Sequence, residues 1–252
     1  MKHKWLCVCL CVCSLWLQAQ EKISGGIKAG LGLPNLKATG SNPFISGYSS
    51  IGTPNYGITG TIEASIRWAF QIDVNYNHIR VKKDGDQVIP KSVYASLVPS
   101  NFTVPNTVYA TFLSNIDIRY IELPMMVKYN CIVGEKFDLF VNGGFFTGIL
   151  IQAKAKTSGF SAIYTNPERT NLLLPFQISL DQERDFTEQL HPLNFGIQGG
   201  LGITYKGDVG NIILQVNGNS SLFNVQQNSA DGQNKTQSLN VMLGYQFHLY
   251  KK

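Results

Sequence analysis

Residues 115–152 read NIDIRYIELPMMVKYNCIVGEKFDLFVNGGFFTGILIQ. They predict two long β-strands, 115–129 and 136–152, joined by a short turn at 130–135. In the second strand one parity is apolar (Phe137, Leu139, Val141, Phe145, Ile149, Ile151), whereas the other holds Asp138, Asn142, Gly144, Gly148 and Gln152 among a few apolar residues. Such alternation gives a strand one apolar and one polar face. A strand of about 16 residues is roughly three times the ordinary globular length, so we expect unusually long strands with a continuous apolar face.

Six further segments alternate in the same way. They are residues 23–33, 57–68, 70–76, 192–206, 209–222 and 238–250. The links between the eight strands are short near Trp68, at 130–135 and at 207–208. They are long at 34–56, 82–112, 153–191 and 224–237. Alternating short and long links place all tight turns at one end and all long loops at the other, as in outer-membrane barrels. We therefore expect an all-β fold, an eight-stranded antiparallel up-and-down transmembrane β-barrel with short periplasmic turns and long extracellular loops.

The N-terminus has the three-part layout of a secretory signal peptide. Lys2 and Lys4 precede an apolar run at 5–17, and a small-residue cleavage site ends at Ala19. We expect cleavage after Ala19 or Gln20, which makes 1–19 the signal peptide and 20–252 the barrel domain. Acylation of Cys13, as in a lipoprotein, is the alternative. No later segment is apolar and long enough for a spanning helix.

Composition excludes several classes of function. The formal net charge is +5 and falls to +3 without the leader, and the basic residues are scattered, so we expect no nucleic-acid partner. Four of the five cysteines lie in the leader. Cys131 therefore remains alone in the mature chain, without a disulfide framework or a cysteine-type zinc site. We expect no metal and no cofactor.

The polar face of the strands collects charged side chains, which an eight-stranded barrel must pack into a narrow interior. The predicted inward set is Lys28, Glu63, Arg67, Asp73, Asp117, Arg119, Glu122 and Asp138. Isolated charges in such a space are costly, so they should pair. The expected pairs are Lys28 with Glu63, and Arg67 or Arg119 with Asp73 or Glu122. A salt-bridge network that plugs the barrel is the structural interpretation, and a proton or ion path is the alternative.

The alternation changes parity between Tyr120 and Ile121. We interpret this change as a β-bulge that turns Glu122 inward, because Pro124 is also better tolerated near a bulge than in a regular ladder. Aromatic residues near strand ends fit the interfacial girdles of a membrane barrel. They are Trp68, Tyr76, Tyr129, Tyr205 and Tyr245.

Residues 120–129, YIELPMMVKY, resemble the fourth strand of the PorT-type outer-membrane β-barrel family of Gram-negative bacteria. Residues 26–32 (GIKAGLG) and 243–247 (LGYQF) are similar to its first and last strands. The resemblance implies an eight-stranded barrel in the outer membrane, and some members of the family take part in type IX protein secretion. The chain departs from a common barrel pattern by ending in Lys251-Lys252, which leaves Phe247 as the terminal lipid-facing aromatic residue.

We expect no enzymatic activity and no catalytic residues. The leading hypothesis is an integral outer-membrane protein of structural or interaction type, in contact with outer-membrane lipid. Its long extracellular loops would meet other envelope or secretion proteins, because loops of this length are usually functional or disordered. Two alternatives stay open. One is a lipid-modifying enzyme that uses His78 or His191 near the long loops, and the other is a soluble lipocalin-like ligand-binding barrel. The run GIQGGLG at 196–202 lies within a strand, so we interpret it as small inward residues and not as a phosphate loop.

Overall fold

The computed structural model describes residues 22–38, 46–91, 105–228 and 233–251. Eight long strands form the barrel: β1 (Lys22–Ala38), β3 (Thr53–Glu63), β4 (Trp68–Pro90), β5 (Thr107–Val133), β6 (Phe137–Ser158), β10 (Leu193–Lys206), β11 (Gly210–Ser221) and β12 (Asn234–Lys251). Four short strands accompany them: β2 (Ser49–Ile51), β7 (Phe160–Ser161), β8 (Ile178–Ser179) and β9 (Gln182–Asp185). In these ranges no helix is long and apolar enough to cross a membrane. The expected signal peptide lies outside the described residues.

The eight long strands close into a ring. Each pairs antiparallel with its neighbours in the order β1-β3-β4-β5-β6-β10-β11-β12, β12 pairs with β1, and the link between β6 and β10 completes the circle. Tight turns join β3 to β4, β5 to β6 and β10 to β11 at one end, and the long connections lie at the other. The predicted eight-stranded up-and-down barrel is thus confirmed.

Side chains on the outer face form a continuous apolar band, which we call the lipid belt. It is built from the outward parity of all eight strands, with members such as Ile27, Leu31, Ile58, Ile72, Met125, Val141, Phe145, Ile197, Leu201, Leu214, Leu243 and Phe247. Aromatic pairs flank the belt: Trp68–Tyr129 and Phe137–Tyr205 towards the tight turns, and Tyr56–Tyr76 towards the long loops. Such rings favour the membrane–water interface, so the belt has the aromatic edges of a membrane-spanning wall.

The strands continue well beyond the lipid belt at the long-loop end. The link at 82–112 was expected to be a loop, but β4 runs to Pro90 and β5 begins at Thr107. Likewise β6 extends to Ser158 into the expected loop at 153–191. The prediction was wrong because the alternation used to detect strands depends on lipid outside and polar packing inside. Above the belt the strands meet other environments.

Two turns also differ from expectation. The turn between β3 and β4 spans residues 64–67, and Trp68 opens β4 instead of closing β3. Backbone amides of Ala64 and Ser65 donate to the carbonyl oxygen of Trp68, which closes the turn. Arg67 therefore lies in an exposed turn and not inside the barrel. At the next turn, β5 continues to Val133, past the predicted end at residue 129.

A bulge was predicted on β5 at Tyr120–Ile121, but it lies on the neighbouring strand β6. Residue 119 of β5 pairs with residue 152 and residue 120 with residue 150, so the extra residue is Ile151 on β6. β5 keeps one parity inward from Ser114 to Asn130. The pattern in β5 changes because the interior changes from polar to apolar at Tyr120, while the exterior changes from apolar to charged.

Candidate functional site

A polar layer fills the middle of the barrel. Lys28 on β1 and Asp73 on β4 form a buried ion pair, and the side-chain amide of Gln71 donates to both carboxylate oxygens of Asp73 at 3.0 and 3.1 Å. Gln71 also reaches Gln215 on the diametrically opposite β11 at 3.4 Å. Hydrogen bonds that cross from wall to wall make this layer a packed core rather than the lining of a pore.

Glu122 is a further buried charged residue of the interior. Its side chain is 3% exposed, and it accepts hydrogen bonds from Asn77 at 2.8 Å and from Asn219 on β11 at 3.5 Å. The predicted inward direction of Glu122 is confirmed, although no bulge on β5 produces it. Cavities of about 20 Å³ beside Glu122 and about 10 Å³ beside Lys28 are no larger than one water molecule needs.

The predicted charge pairs were wrong, since Lys28 pairs with Asp73 and Arg119 with Asp117. Glu63 lies at the mouth near the tight turns, 4.0 Å from Lys22, and not beside Lys28. Arg67 donates to the hydroxyl of Tyr129 at 3.0 Å. Asp138 is inward as expected and pairs with Lys206 at 3.0 Å. The sequence identified the residue types of the interior, but partner choice depends on the stagger between strands, which the sequence pattern does not supply.

Glycines on β10 make room for aromatic rings on β6. Gly196 is paired with Phe146 and Gly202 with Phe140, and both rings are almost fully buried. A Cβ atom on either glycine would lie 2.4 Å from the facing ring. This confirms the predicted small inward residues for Gly196 and Gly202, whereas Ile197 and Leu201 of the same run face outward. Lys128 adds its ammonium group 4.0 Å above the Phe140 ring.

An apolar cluster, the apolar plug, closes the barrel above the polar layer. Its buried members come from β1, β4, β5, β6 and the long connections: Leu36, Ile79, Val81, Ile118, Tyr120, Ala153, Leu190 and Val225. Ile79, Val81, Ile118 and Tyr120 are at most 2% exposed. At the opposite end a cavity of about 510 Å³ opens at the tight turns, lined in part by Glu63, Asp138, Lys206 and His248. The barrel is therefore an open bowl on the periplasmic side and sealed on the outer side.

Above the plug the chain builds an extracellular head from residues 82–91, 105–115 and 154–185. The head has its own buried apolar cluster: Ile89, Val108, Ala110, Ile163, Leu174 and Leu180. The backbones of Tyr109 and Tyr164 exchange hydrogen bonds at 2.8 and 2.9 Å. Arg169 takes a left-handed backbone conformation (φ 56°), and its guanidinium binds Asp86 at 2.6 Å. These contacts fold the long connection after β6 back onto the β4–β5 hairpin.

Four charged or titratable residues form a rim cluster on the outer face, between the lipid belt and the head. His78 and Arg80 point outward from β4, and Asp117 and Arg119 point outward from β5. The Asp117 carboxylate accepts from Nε of Arg119 at 2.9 Å and contacts Nε2 of His78 at 2.7 Å. Nε of Arg80 lies 3.7 Å away. Asp117 and Arg119 were predicted to face inward; they face outward because β5 has no bulge at Tyr120–Ile121 and keeps one parity from Ser114 to Asn130.

The geometry offers little for catalysis. His78 and Asp117 form a base–acid pair, but within the described ranges no serine, threonine or cysteine side chain hydrogen-bonds to His78, and a hydrolase of this type needs that nucleophile. His191 is exposed, and its backbone amide donates to Val225. Among the described residues no group of three His, Cys, Asp or Glu side chains is arranged to hold a metal.

Several solved structures are similar to this chain. They include Ail, the attachment invasion locus protein of Yersinia pestis, in complex with the heparin analogue sucrose octasulfate (12% identity over 90% of this chain and 99% of that one, TM-score 0.33). Neisserial surface protein A has 8% identity over 89% and 97%, with a TM-score of 0.41. OprG from Pseudomonas aeruginosa has 12% identity over 91% and 97%, with a TM-score of 0.36.

The sequence also matches one family model. The outer membrane protein beta-barrel domain covers residues 18–227, which is most of the chain and seven of the eight barrel strands. No curated protein matches the sequence.

Proposed function

Because the chain belongs to the family of the outer membrane protein beta-barrel domain, we propose that this integral outer-membrane barrel presents its extracellular head to a partner outside the cell. The observation that carries the proposal is the second apolar core above the lipid belt. β4 alone continues for about 14 residues beyond Tyr76, roughly 45 Å of extended chain. A protein that only had to span the membrane would not need a packed domain of this height.

The head also exposes the kind of side chains that bind partners. Phe160 is 71% exposed, Leu172 56% and Phe176 52%, all on the connection between β6 and β10. Large apolar side chains held outward on a packed scaffold favour protein or glycan contacts. The sealed interior supports the same view, since the plug and the polar layer fill the space through which a solute would pass.

The experiment places a photo-crosslinking amino acid at Phe160 or Leu172 in living cells. We expect discrete crosslinked products from these positions, and none of the same mass from the matched control at Leu243, which faces lipid. A headless variant, with 84–112 and 158–181 replaced by short Gly-Ser turns, should still fold as a heat-modifiable barrel and lose the partner. Identical products from Phe160 and Leu243 would contradict the proposal.

A role in type IX protein secretion is the second candidate, and it rests on the resemblance at 120–129. In that motif Glu122 and Lys128 face the barrel interior, so they support the barrel and mark no partner surface. Deleting the gene and measuring secreted protein tests this candidate. If secretion fails and the headless variant restores it, the function belongs to the barrel and its periplasmic bowl instead of the head.

The leader and the enzyme alternative have direct tests. We propose that residues 1–19 are a signal peptide, so mass spectrometry of the mature protein should place its N-terminus at Gln20 or Glu21. A lipid-modifying activity would require His78 or His191. An unchanged lipid profile in His78→Ala and His191→Ala cells would argue against it.

A further inference from the structure

The rim cluster lies at the depth of the lipid headgroups. His78 is paired with Arg119, and two residues below them the paired Tyr76 and Ile121 end the lipid belt. Two residues of strand correspond to roughly 7 Å. Tyr76 stacks on Tyr56 with ring centroids 5.0 Å apart, and outward aromatic rings of this kind mark the membrane interface. The guanidinium groups of the cluster are therefore placed where phosphates of the outer leaflet lie.

Asp117 orients Arg80 and Arg119 but does not occupy all of their hydrogen-bond donors. Arg119 and Arg80 both turn Nε towards Asp117, at 2.9 and 3.7 Å. Their side chains are 38% and 45% exposed, and their terminal Nη groups donate no hydrogen bond within the described part of the chain. One carboxylate thus fixes two guanidinium forks whose remaining donors face outward.

The charge around the cluster has an excess of positive groups on the same outward face. Lys82 follows Arg80 on β4, and Lys154 and Lys156 on β6 lie opposite Asp117 and Asn115. Glu183 neutralises Lys154 at 3.0 Å, Asp185 on β9 is paired opposite Lys154, and Asp117 neutralises one arginine, so the two arginines and three lysines outnumber the three carboxylates. A surface ion pair contributes only about 0–1 kcal/mol to stability, so stability alone does not account for a second arginine on one carboxylate.

We propose that the rim cluster binds a phosphate group of an outer-leaflet glycolipid through Arg80 and Arg119. Guanidinium forks bind phosphate oxygens in a bidentate manner, and two forks on adjacent strands can share one phosphate. The acyl chains of the same lipid would lie on the lipid belt directly below, against Tyr56 and Ile121. The site goes beyond partner binding by the head and does not depend on it.

The test is native mass spectrometry of the full mature barrel released from neutral detergent micelles, with phosphorylated lipid A as the probe. We expect one retained lipid on the wild type and about tenfold weaker retention, about 1.4 kcal/mol, in R80Q/R119Q. The R80K/R119K variant keeps the charge and loses the fork, so it should fall between the two. Dephosphorylated lipid A should bind weakly to all three proteins.

Arg67→Gln is the control for the loss of guanidinium charge, because it removes one such charge at the opposite end of the barrel, against the two that R80Q/R119Q removes. Equal loss in R67Q and in R80Q/R119Q would mean unspecific attraction and would overturn the proposal. Equal retention of dephosphorylated lipid A by the wild type would do the same, since the acyl chains alone would then explain binding. Full displacement of lipid A by excess inorganic phosphate would overturn the assignment to a lipid. Heat-modifiable migration verifies that each variant is folded.

Discussion

The buried ion pair of Lys28 and Asp73 is the most demanding contact of the interior at the scale of single residues. The two side chains are 7% and 1% exposed and come from strands that β3 separates in the ring. Two charges removed from water are tolerated only when their geometry and hydrogen bonds compensate for the lost solvation. Gln71 provides two of those hydrogen bonds. Each partner therefore depends on the other.

We expect Asp73→Asn to lower the free energy of unfolding by about 3 kcal/mol, because it leaves the Lys28 ammonium group buried without its partner. In the double variant K28M/D73N the loss should be smaller than the sum of the two single losses. Urea unfolding of the barrel in phospholipid vesicles measures all four proteins. Additive losses would show that the two side chains are not coupled.

Asp117 in the rim cluster gives a pH-dependent prediction. It lies above the lipid belt, where burial by itself raises the pKa of its carboxyl. Hydrogen bonds from His78 and Arg119 and their charge outweigh burial and hold this pKa below its ordinary value. A lowered pKa in the folded state contributes stability above the unfolded-state value of about 3.9, and this contribution is lost as pH falls through the folded-state value.

The wild type should accordingly be more stable than Asp117→Asn above about pH 4, and the difference should shrink as the pH falls further. Unfolding curves of both proteins over the acid range measure it. A difference that persists undiminished at about pH 2 would contradict the role given to the carboxylate, because at that pH this carboxyl is protonated in the unfolded chain and the stabilisation from its lowered folded-state pKa must have decreased.

Single residues also show how much of the barrel interior can be predicted from the sequence. Lys28, Asp73, Glu122 and Asp138 were predicted to face inward, and they do so. Their partners were not predictable, since Lys28 meets Asp73 through the stagger between β1 and β4. That stagger follows from the tilt of all eight strands together, a property that no local alternation encodes.

At the scale of elements, β5 explains both the success and the failure of the alternation. Below Tyr120 its outward residues meet lipid and its inward residues meet the polar layer, so apolar and polar positions alternate as expected. On the head side of Tyr120 the inward Ile118 packs in the apolar plug, and the outward Asp117 and Arg119 lie above the lipid belt, where charged side chains are solvated. The sequence pattern reverses while the strand stays regular. A reversal of parity therefore has two physical causes, a bulge or an exchange of environments.

The pairing of β10 with β6 depends on glycines that face aromatic rings. We expect Gly202→Ala to lower the free energy of unfolding by about 1–3 kcal/mol, because its Cβ would lie 2.4 Å from the Phe140 ring and 2.5 Å from the carbonyl oxygen of Leu214. The smaller side chain in G202A/F140L should restore part of the loss. Gly218→Ala on β11 is the matched control, since a Cβ there meets nothing within 4 Å. Equal losses in G202A and G218A would point to β-strand backbone effects instead of ring packing.

The whole molecule has three zones along the barrel axis, each with its own pattern of side chains. The bowl at the tight turns is charged and open, the middle is polar inside and apolar outside, and the end with the long connections is apolar inside and charged outside. Composition and alternation were sufficient to predict the middle zone. The head could not be predicted in this way, because its core is assembled from Ile89, Val108 and Leu174, which lie far apart in the chain.

The orientation of these zones yields the last prediction. Short turns of membrane barrels face the periplasm, and Cys131 lies exposed two residues beyond Tyr129 towards such a turn. If residues 1–19 are removed as proposed, it is the single cysteine of the mature chain. A membrane-impermeant maleimide should label Cys131 only when the outer membrane is permeabilised. In a C131S background, Glu168→Cys in the head should be labelled on intact cells, because residue 168 is exposed at the opposite end. Labelling of Cys131 on intact cells, with protection of the cysteine at position 168, would contradict this orientation. It would place the head, and any partner that the head binds, in the periplasm.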